Sequence, residues 1–147
     1  MTTTLRRSIS DKLNHYLNLR FMSSNSFLKN EKLCQKDSID LIFSEGEKIS
    51  DRPIKLLWTE VTGQQLPLQT LISVPKRRIP KACDRNRIKR LIRESFRSHK
   101  QPLIDQLIQK KVSINLAILY SENKVLDYKE IHDKICLTLQ RLSQKYD

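Results

Sequence analysis

The sequence has no apolar run approaching the roughly 18 residues that a bilayer-spanning helix requires, and its first residues lack the continuous apolar core of a secretory signal. A cytoplasmic protein without a membrane partner is expected. Three cysteines, Cys34, Cys83 and Cys136, are an odd number, lie far apart and show no C-x-x-C spacing. That argues against a disulfide framework or a zinc site and for reduced thiols. Internal repeats and long low-complexity runs are also absent. So is a carboxylate cluster. Asp37 and Asp40 fall at a helix start, where capping is the expected role, and Glu45 and Glu47 flank a glycine turn and read as solvated. His15, His99 and His132 are scattered without a partner at ligand spacing, and each reads as a surface histidine. Lys81, Asp84 and Glu94 do not compose a nucleophile and its base. A hydrolytic nuclease acting alone needs a metal cage or an acid/base pair, so no catalytic residue and no metal ligand is expected in the protein.

What is present is positive charge, and it is concentrated. Residues 76–100 hold eleven basic and two acidic residues, a net +9 within a chain of 147 residues that totals +12. A focused field of that size attracts a polyanion and raises its on-rate. Inside it, Ile88, Leu91, Ile92, Ser95 and Phe96 recur at i, i+3, i+4, i+7 and i+8, one apolar stripe at helical period. At about 100° per residue, Asn86, Arg90, Arg93 and Arg97 fall on the opposite side, flanked by Arg87 and Lys89. Asp84 is placed to cap the first turn. A solvated helix face mixes signs to limit self-repulsion, whereas Glu94 is the one acid inside this helix after the cap. Arginine dominates over lysine there, and guanidinium groups fork onto phosphates. Nucleic acid is the natural partner.

The run Lys81-Ala82-Cys83-x-Arg85-Asn86-Arg87-Ile88-Lys89-Arg90-Leu91-Ile92-Arg93-Glu94 resembles the RNR signature of the protein subunit of bacterial ribonuclease P. Upstream, Ser73-Val74-Pro75-Lys76-Arg77 is similar to the strand end and basic turn that precede the signature in that family. The likeness covers roughly residues 33–142, and the signature is its one highly specific part.

The rest of the chain agrees with a small mixed fold. Residues 1–29, rich in Ser, Thr and Asn, read as a basic extension, with a possible short amphipathic helix. An organelle transit peptide and a true start at Met22 are alternatives for it. Residues 30–147 read as one RNA-binding domain. Asp37 can cap a helix carrying Ile39, Ile42 and Phe43 on one face, with Gly46 at its C′ position. Strands are expected over 54–61 and 68–74, antiparallel to each other, and a central strand over 112–120. Pro102 fits the first turn of a minor helix with Leu103, Ile104, Leu107 and Ile108. Asp127-x-x-Glu130 resembles a capping box opening a last helix with Tyr128, Ile131, Ile135, Leu139, Leu142 and Tyr146 on one stripe. This is an α+β sandwich with one face of its sheet covered. The resemblance implies the order α-β-β-β-α-β-α and a left-handed β-α-β crossover around the signature helix. Periodicity could not supply that crossover, since the general rule is right-handed.

The resemblance also assigns roles. Arg85, Asn86, Lys89, Arg90 and Arg93 match signature positions that dock on the catalytic RNA subunit, with Arg87, Lys81 and Lys76 as secondary candidates. A cleft between the sheet and the first helix binds the 5′ leader of precursor tRNA in that family. Phe43 matches one of its aromatics, Ile39 stands where the family commonly has Phe, and Leu57 fills another usually aromatic column beside Trp58. Core packing is the alternative reading for Phe43 and the favoured one for Trp58. The implied function is to assist endonucleolytic removal of the leader, giving the mature tRNA 5′ end. Bond breaking and Mg2+ are expected in the RNA subunit, and no obligate protein partner is expected. A structural RNA-binding protein, such as a ribosomal component, is the main alternative. A major-groove DNA-binding module is disfavoured because a strand and loop, not a short helix-turn, precede the basic helix. A stand-alone metal nuclease is disfavoured by the missing carboxylates.

Overall fold

A computed structural model describes residues 31–64 and 66–147 of the chain. The readings of residues 1–29, including the amphipathic helix and the start at Met22, lie outside the described residues. The elements are α1 (Lys36–Glu45), β1 (Glu47–Asp51), β2 (Ile54–Val61), β3 (Leu68–Ser73), α2 (Ala82–His99), α3 (Gln101–Lys110), β4 (Ser113–Tyr120) and α4 (Tyr128–Gln144). Four strands form one sheet in the order β1-β2-β4-β3. The β1–β2 and β2–β4 pairs are antiparallel, and β3–β4 is parallel, joined by the crossover through α2 and α3. The α+β order implied by the resemblance is present, with the short α3 added inside the crossover.

Strands β2 and β3 do run in opposite directions, but β4 is inserted between them, so they are not the neighbours that a local reading suggests. Strand β1 has no apolar alternation to announce it. It is an edge strand with a single half-buried hydrophobic, Ile49, and a turn at the cis Arg52–Pro53 bond leads into β2. Its carboxylates are not simply solvated. Asp51 pairs with Lys134 at 2.9 Å and Arg141 at 3.6 Å, both from α4, and Glu47 pairs at 3.0 Å with Lys145, which caps its C-terminal end.

Both faces of the sheet are covered, unequally. Ile54, Leu56 and Trp58 of β2 and Ile114, Leu116, Ile118 and Tyr120 of β4 point into the larger core, which α2, α3 and α4 close with Ile88, Ile92, Phe96, Leu103, Ile104, Leu107, Ile131, Ile135, Leu139 and Leu142. Burying each large side chain of this kind contributes about 1.5–3 kcal/mol. The alternate residues, Leu57 and Ala117, form a smaller cluster with Leu33 and with Ile42 of α1. The expectation of one covered face is thus corrected: α1 shelters part of the second face.

Several end signals are displaced. Helix α2 begins at Ala82, so Asp84 lies inside its first turn, favourable to the helix dipole without being the cap. Asp37 likewise sits in the first turn of α1, after Gln35 at the cap. Gly46 ends α1 in an extended conformation, φ −64°, not a left-handed one. Its reason is close approach: a Cβ there would strike the Ile42 carbonyl. The capping box of α4 is present, with the Asp127 N–H donating to Glu130 Oε2 at 3.3 Å. Tyr128 leaves the predicted stripe and is exposed.

Candidate nucleic-acid interface

Helix α2 is held by one side and offers the other. Ile88, Ile92, Ser95 and Phe96 are buried, with Leu91 packed against the same core. Ser95 Oγ donates to the Leu91 carbonyl at 2.9 Å, which lets a hydroxyl sit in an apolar seam. Asn86, Arg87, Arg90 and Arg93 are exposed on the outer side, and Lys89 is half-buried beside them. Among the described residues no carboxylate pairs with Arg87, Arg90 or Arg93. Arg97, at the end of the same side, differs. Its guanidinium pairs with Glu94, and that hydrogen bond, followed by the attraction between the charges, holds the Glu94 carboxyl below its ordinary range.

Arg85 has a job in the protein itself. Its Nη1 donates to the carbonyls of Ile79, at 3.0 Å, and Pro80, at 2.7 Å, fastening the start of α2 to the basic loop before it. Buried Val74 and Ile79 anchor that loop on the core, and Arg78 reaches Asn123 at 3.3 Å. Lys76, Arg77 and Lys81 project from it, exposed. The loop and helix therefore present their cations on a rigid frame.

The four leader candidates separate. Phe43 is 49% exposed on α1, so its ring is surface and not core. Ile39 is half-buried against the smaller cluster. Leu57 is sealed beneath α1, and Trp58 points to the opposite face, into the larger core, with Lys145 Nζ 5.0 Å from its ring centre. Neither Leu57 nor Trp58 can stack on a ligand, and their reading as leader contacts is corrected. Register instead places Lys48 opposite Leu57 and Lys55 opposite Leu119, on the side of the sheet that carries α1.

One group escaped the sequence reading. His99 at the end of α2 meets His132 and Cys136 of α4, and one ligand atom of each lies within 4.8 Å of the others. The signal available was the i, i+4 spacing of His132 and Cys136; His99 comes from another helix. Burial, and then the Asp133 charge, push the Cys136 thiol up. This group offers nitrogen and sulfur, whereas Mg2+ takes oxygen, so a protein-held Mg2+ does not fit it.

Fold and face together define an α+β protein that presents a helix side of exposed, same-sign charge. A family model described as ribonuclease P matches residues 27–143. The ribonuclease P protein component of Porphyromonas gingivalis strain W83 is 28% identical over 116 residues, covering 78% of this chain and 85% of that one. That of Legionella pneumophila strain Lens is 38% identical over 84 residues, covering 56% of this chain and 71% of that one. The structure of the Staphylococcus aureus RNase P protein superposes with a TM-score of 0.63 at 18% identity, over 80% of this chain and 98% of that one. The chain belongs to the ribonuclease P protein family. Among the described residues, no helix is long and apolar enough to cross a membrane.

Proposed function

We propose that the outer side of α2 docks on the RNA subunit of ribonuclease P and that the α1 side of the sheet holds the 5′ leader of precursor tRNA. Asn86, Arg87, Lys89, Arg90 and Arg93 are the docking set, with Lys81 and Lys76 of the preceding loop. Arg85 contributes first by fixing that loop. For the leader, the exposed Phe43 ring is a stacking platform, with Ile39 behind it and Lys48 and Lys55 on the same side of the sheet. Stacking plus basic groups along a backbone is how single strands are held with little sequence choice. The protein then assists by screening RNA charge and gripping the leader. The phosphodiester bond is broken by the RNA subunit with Mg2+, in the cytoplasm.

The observation that carries this reading is the α2 side itself: exposed guanidinium groups of one sign, without carboxylate partners among the described residues, on a helix whose other side is core. Reconstituted cleavage tests it. Purified protein free of RNA leaves precursor tRNA intact at any Mg2+ concentration. Added to its RNA subunit, it lowers the Mg2+ requirement and favours precursor over mature tRNA. Site-specific cleavage by the protein alone would sink the assignment. Equal help to a structural ribosomal RNA, with none to this RNA subunit, would favour the ribosomal alternative.

A further inference from the structure

The group formed by His99, His132 and Cys136 lies outside the face just described and plays no part in that reading. Helices α2 and α4 pack against each other, and this packing brings the last residue of α2 over one turn of α4. His132 and Cys136 are four residues apart on α4, a spacing that puts two side chains on one helical face. Cys136 Sγ lies 3.7 Å from His132 Nε2. In a tetrahedral zinc site with Zn–N about 2.0–2.1 Å and Zn–S about 2.3 Å, a nitrogen and a sulfur ligand sit about 3.6 Å apart. The pair is already at ligand separation. The His99 and His132 rings meet edge to face, with centres 4.7 Å apart.

The outer atoms of both imidazoles are held as metal-binding histidines are held. His99 Nδ1 is 3.0 Å from the Ser95 carbonyl, an acceptor only, so Nδ1 carries the proton and Nε2 keeps its lone pair. His132 Nδ1 is 3.3 Å from the Tyr128 hydroxyl, which can fix that nitrogen while Nε2 faces the thiol. Such a second partner sets tautomer and ring direction in metal sites. The cluster also stands at the carbonyl end of α2, where the helix dipole favours a cation. Two imidazoles and a thiol suit a borderline-soft d10 ion and not Mg2+ or Ca2+.

We infer that His99, His132 and Cys136 bind a transition-metal dication, Zn2+ by their chemistry, through two imidazole nitrogens and the thiolate, with water in the fourth position. On binding, the Cys136 proton leaves to solvent and no electron changes hands. The ion ties the end of α2 to α4.

The test uses the full chain stripped of metal by a chelator and titrated separately with Zn2+ and Co2+. Zn2+ binds with one saturable equivalent. Co2+ gives a thiolate-to-cobalt charge-transfer band and the visible bands of a tetrahedral complex. Cys136→Ser abolishes the charge-transfer band, and His99→Ala, which removes a ligand itself, weakens Zn2+ binding by more than the about tenfold that loss of a ligand's outer partner alone can cost. The double variant Cys34→Ser/Cys83→Ser keeps both signals, which separates this thiol from the two exposed ones. Circular dichroism of each variant shows whether the fold is intact. Absence of a charge-transfer band in the unaltered chain overturns the inference, whatever the variants do. So does a band that survives Cys136→Ser or vanishes with Cys34→Ser/Cys83→Ser.

Discussion

Helices α2 and α4 are both amphipathic, both lie over the larger core, and both display several cations, yet they spend them differently. Lys134 and Arg141 of α4 and Lys145 at its C-cap face Asp51 and Glu47 of β1, closing a polar edge strand onto the helix that covers it. Arg87, Arg90 and Arg93 of α2 have no such partner among the described residues. Charge that is satisfied inside the molecule supports its architecture. Charge left open on a rigid helix is available to something outside. Composition alone would have counted these residues as equivalent, and their partners tell them apart.

The largest effect of a single substitution should come from breaking the side of α2 that the comparison treats as purely structural. Ile92→Ala empties a fully buried site next to Arg93 and should cost about 2–5 kcal/mol in denaturant unfolding, with little change in RNA affinity while the chain stays folded. An RNA-affinity loss without a stability loss would reverse the roles assigned to the two sides. Next, Phe43→Ala should erode the preference for precursor over mature tRNA by about 1–3 kcal/mol, the value of one stacked base. Because the ring is exposed, unfolding should shift by no more than about 0.5 kcal/mol. Unchanged discrimination would move the leader elsewhere.

The sequence made one half of this comparison readable and hid the other. The α2 stripe was legible because a helix against a core repeats its apolar residues locally, and the acid-poor outer side needed no structure. Strand β1 was not legible, since Glu47-Lys48-Ile49-Ser50-Asp51 has one apolar residue and its stabilisation comes from α4, about 80–100 residues away. Leu57 and Trp58 could not be assigned to faces. Strand β2 is apolar on both sides because both are covered, and a period of two says which residues share a side but not which side is open. The insertion of β4 between β2 and β3, and the meeting of His99 with Cys136, are products of tertiary packing with no local signature.

Smaller effects sharpen the same contrast. Asp51→Ala removes the shared partner of Lys134 and Arg141, both partly exposed, and should cost no more than about 1 kcal/mol. The RNA affinity should hold or rise slightly as an acid is lost. With about six phosphate contacts, the log–log dependence of RNA affinity on salt should have a slope of roughly −4 to −5, and Arg90→Ala should reduce it by about one contact. A flat response would mean that the face does not bind phosphate.

A pH-dependent effect lies just beyond the α4 end, where burial and then the Glu60 charge push Tyr146 up from 10.0 to about 12. The unfolded chain ionises first, so the folded state holds more protons between these values. This contribution is fully present below pH 10 and is lost as pH rises towards about 12. Denaturant midpoints across that range should fall less in Tyr146→Phe than in the unaltered chain. An identical decline in both would remove Tyr146 from the account.

The comparison between the helices is tested most directly by removing the same charge from each. Arg87→Ala/Arg90→Ala/Arg93→Ala and Lys134→Ala/Arg141→Ala/Lys145→Ala both subtract three cations, and equilibrium binding to the ribonuclease P RNA subunit at one fixed salt concentration reads the consequence. If each α2 arginine makes a charge-assisted contact of about 1.5–3 kcal/mol, the first variant should bind at least about a thousandfold more weakly with its fold intact. The second should bind within a few-fold of the unaltered chain. Equal losses in the two variants would mean that net charge, not the open face of α2, governs RNA binding, and would contradict the account.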